Sequence, residues 1–172
     1  TLASVLIFYR REIIRLLTTN RRAILPLIAA TIPAGVIGVG IEKGLPDETT
    51  KWLLESPLFA GFGFFITAAA LWWLGRTPEG TIDYPDTPAW KAVIIGFFQA
   101  AAILPGVSRS GLTISSGVGL GLKREAAATF SFLMAIPVIG RAGLLKIKDA
   151  VDKGTTSTPL PTLALGFVVS ML

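Results

Sequence analysis

Apolar residues in this chain do not alternate with polar ones; they gather in long blocks. Residues 23–41, AILPLIAATIPAGVIGVGI, and 57–75, PLFAGFGFFITAAALWWLG, contain no charge. Each is long enough for a helix to cross a hydrocarbon layer about 30 Å thick. A third block, 126–145, AAATFSFLMAIPVIGRAGLL, carries Arg141 near its end. The pattern predicts transmembrane helices over all three, with Trp72 and Trp73 at an interface, where indole rings partition. Pro26, Pro33 and Pro137 are compatible with spans, because neighbouring helices can satisfy the carbonyls they free. Gly35, Gly38 and Gly40 predict close helix contacts.

The two ends read as partial spans. TLASVLIFY, 1–9, runs into Arg10 and Arg11, and PLPTLALGFVVSML, 159–172, reaches only about 21 Å as a helix. No segment has the layout of a signal peptide. The expectation is one membrane domain over 1–172, truncated at both ends.

Between 92 and 122 the blocks shorten. AVIIGFFQAAAIL stops at Pro105 and Gly106, and SGLTISSGVGLGL stops at Lys123 and Arg124. Neither half crosses a bilayer alone, so together they form one kinked span or a re-entrant hairpin. Placing the 10–22 loop inside puts eleven basic residues inside for the kinked span and nine for the hairpin, which favours the span.

Composition narrows the chemistry. Hydrophobic residues make up 52% of the 172, and there is no cysteine and no histidine. That excludes disulfides, Cys/His zinc sites and any dyad or triad built on those residues, and it leaves only oxygen ligands for a metal. The net charge of +5 sits at the ends of apolar runs, which points to membrane topology and away from nucleic acid. The carboxylates of the 76–91 loop, Glu79, Asp83 and Asp86, lack ligand spacing and read as a solvated loop, while LPDET in the 42–56 loop reads as a turn and helix start.

The chemistry gathers in PGVSRSGLT, 105–113. An arginine near mid-bilayer costs about 3 kcal/mol on insertion scales, so it needs an anion or a wet cavity. No carboxylate lies within 103–122; the nearest in sequence is Glu125. Pro105 and Gly106 end one helix, and Ser108 or Ser110 caps the next, so that free N–H groups point into the break. Arg109 adds a planar fork for two phosphate oxygens, and Ser108, Ser110 and Thr113 add hydroxyls. The expected site is an oxyanion cradle, neither a Walker loop nor a dinucleotide fingerprint. Its alternative is an arginine that snorkels beside serines bonded to helix carbonyls. Ser108 can attack a phosphorus atom, but the chain shows no base to activate it. Gly117 and Gly121 fit GxxxG helix packing.

GFFQAAAILPGVSRSGLTISSGVGLGLKREAAATFSFLMAIPVI resembles the second signature region of the bacterial undecaprenyl pyrophosphate phosphatases of the bacitracin-resistance type, whose pattern is PGxSRSGxT. The likeness extends upstream through LIFYRREIIRLL and LIAATIPAGVIGVGIE and downstream into GLLKIKD. It implies an all-α, multi-pass protein of the bacterial inner membrane with a re-entrant helix pair over 92–122, half of an inverted-repeat fold. The implied reaction removes the terminal phosphate of undecaprenyl pyrophosphate, recycling a cell-wall lipid carrier. Ser108 and Arg109 would be catalytic; Arg109, Ser110, Thr113, Gly106 and Gln99 would bind the polyprenyl pyrophosphate. The family's other signature, with paired glutamates, serines and a histidine, would precede Thr1. It would carry the acid/base groups and the ligands of a divalent cation, Mg²⁺ or Ca²⁺, so this piece alone would be inactive. The competing reading is a transporter or flippase for an anionic lipid or solute, with the broken helices as a substrate site.

Overall fold

A computed structural model describes residues 2–44, 46–152, 165–166 and 168–169. They are helical, with no strand among the described residues beyond one isolated bridge between Ile82 and Leu122. The helices are α1 Leu2–Phe8, α2 Arg10–Thr18, α3 Ile24–Gly44, α4 Asp47–Glu55, α5 Pro57–Arg76, α6 Ala89–Ala101, α7 Arg109–Gly119 and α8 Arg124–Asp152, with short 3₁₀ turns at Arg21–Ala23 and Tyr84–Asp86. The expected span over 159–172 falls largely outside the described residues.

The charge-free blocks become α3 and α5, the two helices among the described residues long and apolar enough to cross a membrane. Only 6% of the apolar window of α5 is buried, and Phe62, Phe64 and Phe65 stand exposed on it. Pro33 lies inside α3, and the 126–145 block lies inside α8, which also contains Pro137. The 10–22 segment, expected as a loop, folds largely into α2. Its Ile13 and Leu16, three residues apart on one face, pack on the core while its arginines point outward.

α6 and α7 run antiparallel. Lys91, at the start of α6, donates from Nζ to the Leu120 carbonyl at the end of α7 at 2.5 Å, while the connection between the helices lies at the opposite end. The chain therefore turns back at Pro105–Gly106 and does not continue as a kinked rod. The core beside this hairpin is built from Leu27 and Ala30 of α3, Ile95 of α6, Val118 of α7, and Phe130, Leu133 and Met134 of α8.

The base of the hairpin is tied by charge. Lys123 pairs with Asp83 at 2.8 Å, a bond that raises the lysine's pKa. Glu79 accepts from the Arg124 N–H at 3.2 Å, and the Arg124 guanidinium donates to the Leu74 and Thr77 carbonyls at 3.0 and 2.8 Å. Tyr84 donates to Glu12 at 2.8 Å and accepts from Asn20 at 3.1 Å; burial raises its pKa, so the phenol remains a donor. Two of the three loop carboxylates thus serve the chain's own groups.

Glycine roles differ from the pattern expected. Gly35 and Gly40 of α3 have no side-chain neighbours within 4 Å of an added Cβ, so they make no close helix contact. Gly117 does pack, against Ala127 of α8. Gly121 is instead a helix stop. It adopts φ +94, and the bonds from Leu122 N–H to the Gly117 carbonyl and from Gly121 N–H to the Val118 carbonyl close a Schellman turn.

Candidate anion-binding site

The turn carrying PGVSRSGLT forms in steps. α6 ends at Ala101, four residues before Pro105, and unwinds through i→i−3 bonds from Ala102, Ile103 and Leu104 to the carbonyls of Gln99, Ala100 and Ala101. Gly106 then takes φ +78, and Ser108 becomes the N-cap of α7. Its Oγ accepts from the Gly111 N–H at 3.1 Å and its carbonyl from Leu112 at 2.9 Å. The N–H groups of Arg109 and Ser110 are left in the first turn as donors that neither cap nor helix ladder uses, at the positive end of the helix dipole.

The five hydroxyls of the stretch have separate tasks. Ser108 caps. Thr113, 1% exposed, donates to the Arg109 carbonyl at 2.8 Å and lies 2.6 Å from the Ser131 hydroxyl of α8. Ser115 donates to the Ala70 carbonyl of α5 at 3.1 Å, and Ser116 donates to the Thr113 carbonyl at 3.1 Å. Of these five hydroxyls, only that of Ser110 has no hydrogen-bond partner among the described residues.

Ser131 was invisible to pattern reading, since one serine in an apolar block has no spacing to reveal its partner. With the Thr113 proton directed to the Arg109 carbonyl, Ser131 supplies the proton of the pair. Ser131→Ala therefore leaves a buried Thr113 lone pair unmet and is expected to cost about 1–2 kcal/mol, measured as a lowered unfolding midpoint in detergent.

Arg109 and Gln99 open on a shared cavity of about 610 Å³, the size of a small-molecule site. Its other walls are mostly apolar: Ala34, Gly35 and Val39 of α3, Ile103 after α6, and Pro137 and Val138 of α8. Gln99 is 3% exposed, and both its amide nitrogen and its amide oxygen are buried without a hydrogen-bond partner among the described residues. Arg109 is half-buried and has no ion pair among the described residues; Glu125 lines a polar crevice with Glu12 and Asp83 at the other end of α7. A guanidinium thus stands in an apolar wall beside a buried, idle amide.

The structure thus divides the expected site residues. Arg109 and Gln99 share the cavity, while Ser108, Ser110, Thr113 and Gly106 do not line it. Ser108 and Thr113 shape the backbone around Arg109, and Gly106 presses against α5. The cavity's donors do not fit a divalent cation: a guanidinium repels it, and no carboxylate among the described residues lines the wall.

These features define a helical protein, with helices suited to a membrane, that presents an arginine with no ion pair among the described residues inside an apolar wall. The whole chain, residues 1–172, matches the family described as bacitracin resistance protein BacA, and it belongs to that family. It is 41% identical over 99% of its length to a protein of Rhodopirellula baltica named undecaprenyl-diphosphatase. Proteins of the same name from Moorella thermoacetica and Methanosphaera stadtmanae are 34% and 37% identical over 100% and 95% of the chain. The chain spans 65%, 64% and 56% of the lengths of these three relatives.

Proposed function

We propose that the protein containing this chain hydrolyses undecaprenyl pyrophosphate to undecaprenyl phosphate and inorganic phosphate. The observation that carries the reading is the joint opening of Arg109 and the unpartnered Gln99 on one apolar-walled cavity. The Arg109 fork grips two oxygens of the pyrophosphate, a turn of the buried Gln99 side chain into the cavity brings its amide to a third, and the free N–H groups and the Ser110 hydroxyl at the start of α7 extend the cradle. Ser108, held by its cap bond, faces developing charge at the same helix start. The apolar wall takes the first isoprene units. Any divalent cation implied by the family relation would be held by carboxylates outside this cavity, and no step here runs through it.

The same reading places the chain in the bacterial inner membrane as a multi-pass protein with α6–α7 as a re-entrant pair. α6 has 13 residues, about 20 Å, too short for a hydrocarbon core of about 30 Å. The hairpin tip meets α5 at Gly63, and its base meets α5 at Trp73, so the pair covers about 15 Å of that helix. Arg109 then lies at membrane depth, where a lipid pyrophosphate can reach it.

The test is phosphate release from undecaprenyl pyrophosphate by the full-length protein in detergent or nanodiscs. One phosphate per lipid with undecaprenyl phosphate as the other product supports the assignment. Movement of intact lipid across a vesicle wall with no phosphate released replaces it with the transporter reading. Gln99→Leu gives a second check with two opposite signs. Removing an idle buried amide is expected to stabilise the fold by about 1 kcal/mol, while phosphate release falls because the anion loses a donor. A stabilised variant with undiminished release would take Gln99 out of the site.

A further inference from the structure

α5 contains one hydrogen-bonding side chain between Pro57 and Leu74 apart from its tryptophans, and that side chain is Thr67. A lone threonine in an exposed apolar helix has an ordinary local use, a bond back to its own helix, and Thr67 has that contact with the Gly63 carbonyl at 3.0 Å. It also makes two contacts forty residues away. Its Oγ1 accepts from the Ser108 N–H at 2.9 Å and lies 3.2 Å from the Gly106 carbonyl, to which it can donate. One hydroxyl therefore bridges both sides of the turn, at Gly106 and at the N-cap of α7.

From these contacts we infer that Thr67 is a positioning residue for the proposed phosphatase site, setting the place of the Ser108–Arg109 segment relative to α5. The inference rests on the proposed function and adds to it a group that never touches the substrate. The turn at 105–107 has only weak support of its own, a 3.3 Å bond from Val107 N–H to the Leu104 carbonyl. Gly63 lets that turn lie directly on α5, since an added Cβ there would fall on the Pro105 carbonyl oxygen. Close approach fixes the separation of turn and helix, but it leaves sliding along the helix unopposed. The directional bonds of Thr67 supply that missing restraint. Thr67 also occupies the Ser108 N–H, so the unused donors of the first turn are those of Arg109, which lines the cavity, and of Ser110, the next residue.

The test uses the full-length protein with Thr67→Val, which removes the hydroxyl at nearly constant volume, Thr67→Ala in case the valine variant does not fold, and Thr67→Ser, which restores the hydroxyl. Phosphate release from a prenyl pyrophosphate should fall about 10- to 100-fold in kcat for Thr67→Val or Thr67→Ala, the usual range for misplacement by about 1 Å, and return to within about threefold for Thr67→Ser. In a Ser108→Ala background the Thr67→Val loss should shrink to a small fraction of its wild-type value, because the two act through one segment. A structural role alone would give the same fold loss in both backgrounds. Wild-type turnover in Thr67→Val, or full additivity with Ser108→Ala, overturns the inference and leaves the phosphatase assignment standing. A wild-type protein that neither hydrolyses nor binds a prenyl pyrophosphate overturns the assignment, and the inference with it.

Discussion

Arg109→Ala in the full-length protein is expected to lower phosphate release from undecaprenyl pyrophosphate by about 10²- to 10³-fold without lowering the unfolding midpoint. The two halves of this result come from the same geometry. The guanidinium is half-buried in an apolar wall with no carboxylate partner among the described residues, so it adds a desolvation cost to the empty fold that its removal relieves. In the occupied site that cation meets the charge of the pyrophosphate in a medium of low dielectric, where a forked, charge-assisted contact is strong. Arg109→Lys should recover only a small part of the activity, because an ammonium supplies a point charge where the planar fork spans two oxygens. Steady-state phosphate release and thermal unfolding in the same detergent check both halves. Undiminished release from Arg109→Ala would remove the residue from the mechanism.

The elements most legible in the sequence were those that a solvent boundary dictates. Charge-free blocks at 23–41 and 57–75 became α3 and α5 with ends shifted by at most a few residues, since every residue of such a block prefers an apolar surrounding and only a helix satisfies its backbone there. The break at Pro105 and Gly106 was legible for a local reason as well. The early end of α6 was less so, because Ala102, Ile103 and Leu104 carry no turn signal of their own and α6 stops at Ala101, the residue whose carbonyl the Pro105 ring would meet in a continued helix. Basic residue counting favoured one continuous span over 92–122, and the fold-back has its reason in what those charges do. Lys91 closes the end of α7, Lys123 answers Asp83, and Arg124 holds the carbonyls at the end of α5. Charges with local structural partners carry less information about sidedness than free ones.

For the site, residue types were legible and their division of labour was not. Spacing put Ser108, Arg109, Ser110 and Thr113 on one helix start, and helix chemistry narrowed the N-cap to Ser108 or Ser110, of which the structure uses Ser108. Which of them faces the cavity depends on α3 and α8, whose contribution no local pattern encodes. Gln99 was indicated by the family resemblance alone. Its buried, unpartnered amide, visible only once α3 and α8 are packed around it, supplies the physical reason to place it with Arg109. Thr67 and Ser131 had no sequence signal, because each acts through long-range bonds.

Gly106→Ala is expected to be the most damaging substitution to the fold of the motif itself. Gly106 holds φ +78, a region where an L side chain costs about 1–2 kcal/mol, and its added Cβ would fall on the Ala60 carbonyl oxygen of α5. That oxygen is backbone of a long helix and has no rotamer to change, so the turn must retreat, at a further cost of about 1–3 kcal/mol for overpacking. Gly63→Ala creates the same collision from the other side, with the Pro105 carbonyl oxygen, but keeps an ordinary helical φ. The pair therefore separates the two costs. Both variants should lose most phosphate release, because retreat of the turn breaks the Thr67 bonds and moves Ser108 and Arg109 together. Gly106→Ala should lose more stability than Gly63→Ala, by about the left-handed penalty. Equal unfolding midpoints would assign the whole effect to contact with α5, and wild-type phosphate release from either variant would show that the turn can leave α5 without disturbing the site.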